Sequence, residues 1–181
     1  MNALTTRVLA QVDPELTDFI LELGIEFRDR GDYRVPHAWI YVLDLVWPSH
    51  KARFSMAQGR TIYLAASHAI APAQRQGVIR HEVQHVMQWS AWYALSYVLS
   101  RKCRVRWEVE AYAQNMLEVY ESTGVLSPLV VVRTGDLLAN NYVLLTHKMK
   151  ANAREQIAQV AERIRQGEVS GYDTTTIFNE D

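Results

Sequence analysis

The sequence predicts an α+β fold that is predominantly helical, with a small antiparallel sheet packed on one helix and a helical C-terminal part. Three observations predict it: apolar residues recurring at helical spacing over most of the chain, a pair of short β-forming segments flanking Gln58-Gly59, and an amphipathic stretch with one apolar stripe near the end. With 181 residues the chain fits one domain. The expected division is a core over 1–125 and a helical extension over 126–181 packed on that core.

In chain order, Asp13 can cap a helix and Pro14 suits its first position. Leu16, Phe19, Ile20, Leu23 and Phe27 follow at helical spacing, with Gly31 as a stop. From Ala38 to Trp47 every residue but Asp44 is apolar or aromatic, which reads as a buried strand closed by Pro48. A strand over Arg53 to Ala57, a turn at Gln58-Gly59 and a returning strand over Thr61 to Leu64 make a hairpin. Helix resumes after Pro72 and runs on through residues 81–85, and another covers about Val105 to Glu121. Gly124 and Ser127-Pro128 separate that helix from a helical region over Pro128 to Lys150, in which Gly135 is the weak point. The last helix is expected to start at Asn152, where Asn152 and Glu155 form a capping-box pattern. Ile157, Val160, Ala161 and Ile164 make its stripe, and Gly167 ends it.

Hydrophobic residues make up 49% of the chain and charged residues 22%, an ordinary globular balance. A formal net charge of -1 gives no electrostatic footprint for nucleic acid or an anionic membrane. Cys103 is the single cysteine, so neither an intrachain disulfide nor a cysteine metal cluster can form. The first ten residues do not read as a secretion signal. The longest uncharged run, Val86 to Ser100, is shorter than a membrane span and contains Gln88, Ser90 and Ser96. A cytoplasmic protein without a membrane span is the expectation.

The segment that carries chemistry is Arg80-His81-Glu82-Val83-Gln84-His85, which contains H-E-x-x-H. On a helix, residues four apart share a face, so both imidazoles can reach one ion. Glu82 projects beside the open position of that ion, where it can take a proton from an attacking water. The competing reading is a polar helix face with two satisfied histidines, and the preceding strand and the downstream acidic helix argue against it. A tetrahedral catalytic zinc site needs a third protein ligand. The longer H-E-x-x-H-x-x-G-x-x-H pattern fails, because Gln88 and Ala91 stand where glycine and histidine would be. A carboxylate is therefore required.

Together with Glu108-Val109-Glu110-Ala111-Tyr112, the motif resembles the gluzincin-type zinc metallopeptidases over about residues 61–120. The resemblance implies a minimal zincin-like core, a Zn2+ cofactor, a peptide or protein substrate, and a third ligand in an E-x-x-A-[D/N] pattern, which Glu108 and Ala111 match. Tyr112 stands where many members carry Asp or Asn. The expected site is thus His81, His85 and Glu108 on the metal, with Glu82 as general base. Tyr112 and His147 are the candidate donors to the tetrahedral oxyanion. The resemblance also implies that the strand over Thr61 to Leu64 is an edge on which an extended substrate pairs.

Glu110 rivals Glu108, and two positions apart on a helix point to nearly opposite sides, so only one of them can face the metal. One straight helix from Pro72 to Ser100 would place Glu108 ~15 Å from His85 along a hairpin, at 1.5 Å per residue, and would favour Glu118. Binding through Glu108 requires the motif helix to end or bend near Gln88 to Trp92, where no proline or glycine stands.

The remaining features have plainer readings. An exposed inter-helix turn accounts for Arg101, Lys102, Arg104 and Arg106 more economically than a nucleic-acid contact. Trp39, Trp47, Trp89, Trp92 and Trp107 lie in apolar segments and read mostly as packing. His37, His50 and His68 show no ligand spacing. The β-forming tail Tyr172 to Phe178 is a candidate to pair with the strand edge or to occupy the substrate groove. A different class of function, a non-catalytic binding or assembly protein retaining a metallopeptidase scaffold, is the alternative; the intact Glu82 favours the enzyme.

Overall fold

The computed structural model describes residues 1–32, 55–65, 72–141 and 145–172. Among these are seven α-helices, one turn of 3-10 helix and a three-stranded mixed sheet, so the chain is α+β and predominantly helical. The helices are α1 (Ala3–Leu9), α2 (Pro14–Glu22), α3 (Pro72–Gln88), α4 (Ala91–Leu99), α5 (Arg101–Thr123), α6 (Pro128–Asn141) and α7 (His147–Arg165). The strands are β1 (Glu26–Asp29), β2 (Met56–Gln58) and β3 (Thr61–Leu64). The chain forms two compact units, Met1–Met87 and Gln88–Asp181. No helix among the described residues is long and apolar enough to cross a membrane.

In the first unit, Asp13 caps α2 by accepting from Leu16 N at 2.7 Å, with Pro14 at the first helical position. The helix stops at Glu22 and does not reach Phe27 as the spacing suggested. Gly24 takes a left-handed φ of 64°, which a residue without Cβ adopts freely, and the chain turns into β1. Glu26 N donates to Arg60 O at 2.9 Å, setting β1 parallel to β3 with Phe27 opposite Ile62. The expected hairpin is present: β2 and β3 are antiparallel, with Ala57 opposite Ile62 around Gly59-Arg60.

The strand order β1-β3-β2 makes β3 central. Both its backbone edges are taken, so β3 is not the edge strand on which a substrate could pair. Outside β1, α1 and its N-cap bond the Phe27 backbone: Thr5 Oγ1 accepts from Phe27 N at 3.0 Å and the capping Asn2 donates through Nδ2 to Phe27 O at 2.9 Å. Satisfying those groups protects a strand that would otherwise present unpaired donors and acceptors. Phe27, Ile62, Leu16 and Ile20 are fully buried there, as are Ile79 and Val83 of α3. The apolar run Ala38 to Trp47, and the tail beyond Tyr172, lie outside the described residues.

In the second unit, α7 packs on α5 and α6. One face of α5, from Val105 and Val109 to Ala113, Met116 and Leu117, shares a core with Leu138, Ile157 and Ile164. Two corrections concern its helices. The region over 128–150 is not one helix, because α6 ends at Asn141 and α7 begins at His147. The N-cap of α7 is Thr146, which accepts from Met149 N, while Asn152 lies inside the helix and accepts from Gln156 Nε2 at 2.9 Å. Gly135 is no breaking point: it lies inside α6 against α7, where a Cβ would meet Arg154 Cα at 3.4 Å, an ordinary contact that leaves no room for a larger side chain.

Candidate metal centre

His81, Glu82 and His85 lie on α3, whose four-residue spacing brings the two imidazole rings to 4.9 Å between centroids, edge-on at 83°. His81 is half-buried, whereas Glu82 and His85 are 5% and 6% exposed. Arg75 and Gln84 of the same helix are also buried. Removing so many polar groups from water costs free energy that packing alone does not return. Natural chains concentrate such polar burial at functional sites.

The next requirement is a break after the motif, and it is present. The helix α3 ends at Gln88, and Ser90 caps α4, its side chain accepting from Tyr93 N at 2.9 Å. Ser100 then joins α4 to α5 by itself. Its N–H donates to Ser96 O at 2.9 Å, closing α4, and its hydroxyl accepts from Cys103 N at 3.2 Å, opening α5. Both breaks use serine caps, which satisfy the orphan backbone groups of helix ends without proline or glycine.

Glu108 and Glu110 therefore sit near the start of a long helix, and their environments differ. Glu110 accepts from Gln88 Nε2 at 2.7 Å and pairs with Arg106 Nε at 3.4 Å. Glu108 is 1% exposed and accepts from the Tyr97 hydroxyl through Oε1. One potential donor atom from each of His81, His85 and Glu108 lies within 4.8 Å of the others. Among the described residues this is the group of His, Cys, Asp or Glu side chains close enough to hold a metal ion. Two imidazoles and one carboxylate are a donor set suited to a divalent ion of borderline softness.

The other expected residues are placed as follows. Tyr112, one turn beyond Glu108, is half-buried and packs against the hydrophobic core of the second unit. His147 is exposed at the first position of α7. Glu118 is half-buried on α5 and is not in the group of three. His37, His50 and His68 lie outside the described residues. The basic cluster is not an inter-helix turn but the first residues of α5. Arg104 Nε donates to Tyr97 O at 2.8 Å, and its guanidinium stands 5.4 Å from the centre of the Tyr97 ring. Trp107 Nε1 donates to Ser96 Oγ at 3.1 Å as a packing residue should, while Trp92 is 66% exposed.

Two residues at the site were not foreseen. Gln88 also donates to Trp107 O at 3.2 Å, so its amide reaches α5 on both sides of Glu108. Tyr97 is foreshadowed only by the spacing Trp89, Tyr93, Tyr97, which puts three aromatic rings on one face of the chain around α4. No protein-family model, no curated protein and no solved structure matches this chain.

Proposed function

We propose that the chain is a zinc-dependent metallopeptidase of the gluzincin type, with His81, His85 and Glu108 as ligands and Glu82 as general base. The observation that carries this reading is the convergence of those three donors on one another, with a buried carboxylate adjoining His81 in sequence. Zinc bound there supplies Lewis acidity, polarising a peptide carbonyl and easing ionisation of water. Glu82 accepts the proton of the attacking water and passes it to the leaving amine. Its burial keeps the carboxylate away from bulk solvent, where a proton would be lost rather than delivered. Tyr112, one turn beyond Glu108 on α5, is the candidate donor toward the developing oxyanion. The substrate is a peptide or protein.

The test is Glu82→Gln on protein purified without chelator. The variant should hold zinc at wild-type stoichiometry while its cleavage of an unfolded protein substrate falls ~100-fold or more, as loss of a general base entails. Equal zinc with undiminished cleavage contradicts the base assignment. Equal zinc with no cleavage by either protein favours a metal-binding assembly protein that keeps a peptidase scaffold.

A further inference from the structure

A carboxylate ligand must present one oxygen to its ion at a defined angle, and the end of a glutamate side chain rotates freely unless something holds it. At Glu108 the Tyr97 hydroxyl holds Oε1. Tyr97 is itself fixed by residues that flank Glu108 on α5. Arg104, four residues before Glu108, bonds the Tyr97 carbonyl and lies over its ring. Trp107, one residue before Glu108, packs at 5.5 Å on Tyr93, whose ring lies 5.4 Å from that of Tyr97. The tyrosine is therefore positioned by the same helix whose carboxylate it orients, and the loop of contacts closes within the α4–α5 pair.

We infer that Tyr97 is a positioning residue for the metal centre: its hydrogen bond to Oε1 sets the rotation of the Glu108 carboxylate, so that Glu108 meets a divalent cation through its other oxygen. The inference rests on the proposed reading of His81, His85 and Glu108 as ligands, and goes beyond it by assigning the preorganisation of the third ligand to a residue outside the motif.

Tyr97→Phe removes the hydroxyl and keeps the ring. Competition with a chromophoric chelator should show zinc bound ~10–100-fold more weakly than by the wild type, the usual effect of losing a partner of a ligand. Co2+-loaded protein should show altered visible bands, because the ligand field changes with the carboxylate's orientation. A variant with merely weakened packing but an intact ligand geometry would keep the wild-type Co2+ spectrum. Circular dichroism establishes that the variant is folded. An independent measurement on the unmutated chain is the 13Cζ tyrosine resonance of Tyr97, which should move when zinc is added. Wild-type zinc affinity together with a wild-type Co2+ spectrum in Tyr97→Phe overturns the positioning role alone, as does a Tyr97 resonance indifferent to zinc. A wild-type protein that takes up no zinc, or a His81→Ala variant that takes up as much, overturns the ligand reading and this inference with it.

Discussion

Gln88 Nε2 donates to Glu110 Oε2 at 2.7 Å, so the acidic residue closest in sequence to Glu108 is already engaged by the last residue of the motif helix. Arg106 Nε lies 3.4 Å from the other oxygen of that carboxylate. Two glutamates on nearly opposite sides of one helix are thus divided between two tasks: one in the His81 and His85 group, the other tying α5 to Gln88.

That division gives a direct comparison. Glu108→Ala should weaken zinc binding by well over ~100-fold, because a three-ligand site loses a ligand. Glu110→Gln should hold zinc within ~10-fold of wild type, since it acts outside the donor group. Isothermal titration on both variants decides the assignment, and the reverse order would make Glu110 the ligand.

The serine caps should matter for stability. Ser90→Ala removes the side chain that accepts from Tyr93 N and should cost about 1 kcal/mol in urea unfolding. Ser90→Gly should cost only a few tenths of a kcal/mol. An Ala variant as stable as the wild type would mean that α4 is not held by this cap.

Much of the site was legible in the sequence, and the misses have identifiable physical causes. The H-E-x-x-H spacing named His81 and His85, because residues four apart share a helix face; Glu108 was named only by the resemblance to gluzincins, since helical geometry left Glu110 and Glu118 open. The hairpin was legible from Gly59, although the turn is Gly59-Arg60 and Gln58 still belongs to β2. By contrast β1 was hidden: Phe27 continues the apolar spacing of α2, and only its parallel pairing with β3 makes it a strand. The end of α3 was equally hidden, because Ser90 interrupts the helix by capping the next one and not through proline or glycine. The spacing Trp89, Tyr93, Tyr97 hints at an aromatic face, but the bond of Tyr97 to Glu108 joins two helices and no fixed spacing encodes it.

Gly135 offers a test of the helix packing in the second unit. A Cβ at that position meets Arg154 at ordinary contact distance, and alanine favours a helix interior by about 1 kcal/mol over glycine. Gly135→Ala should therefore be neutral or stabilising by up to about 1 kcal/mol. Gly135→Leu should destabilise by about 1–3 kcal/mol, because backbone atoms of α7 cannot yield to a larger side chain. Chemical denaturation of both variants measures the sign.

Tyr112 separates packing from chemistry. Tyr112→Phe keeps the ring that packs on the hydrophobic core and removes only the hydroxyl. If that hydroxyl donates to the oxyanion, kcat should fall ~100-fold while zinc binding is unchanged. An unchanged kcat assigns Tyr112 to packing alone.

X-ray absorption at the zinc edge, on protein loaded with one equivalent of Zn2+, tests the central claim most directly. The account predicts a four-coordinate ion with two imidazole nitrogens and oxygen ligands at about 2.0–2.2 Å, losing one imidazole shell in His85→Ala. A wild-type spectrum without two imidazoles, or one that His85→Ala leaves unaltered, would contradict it.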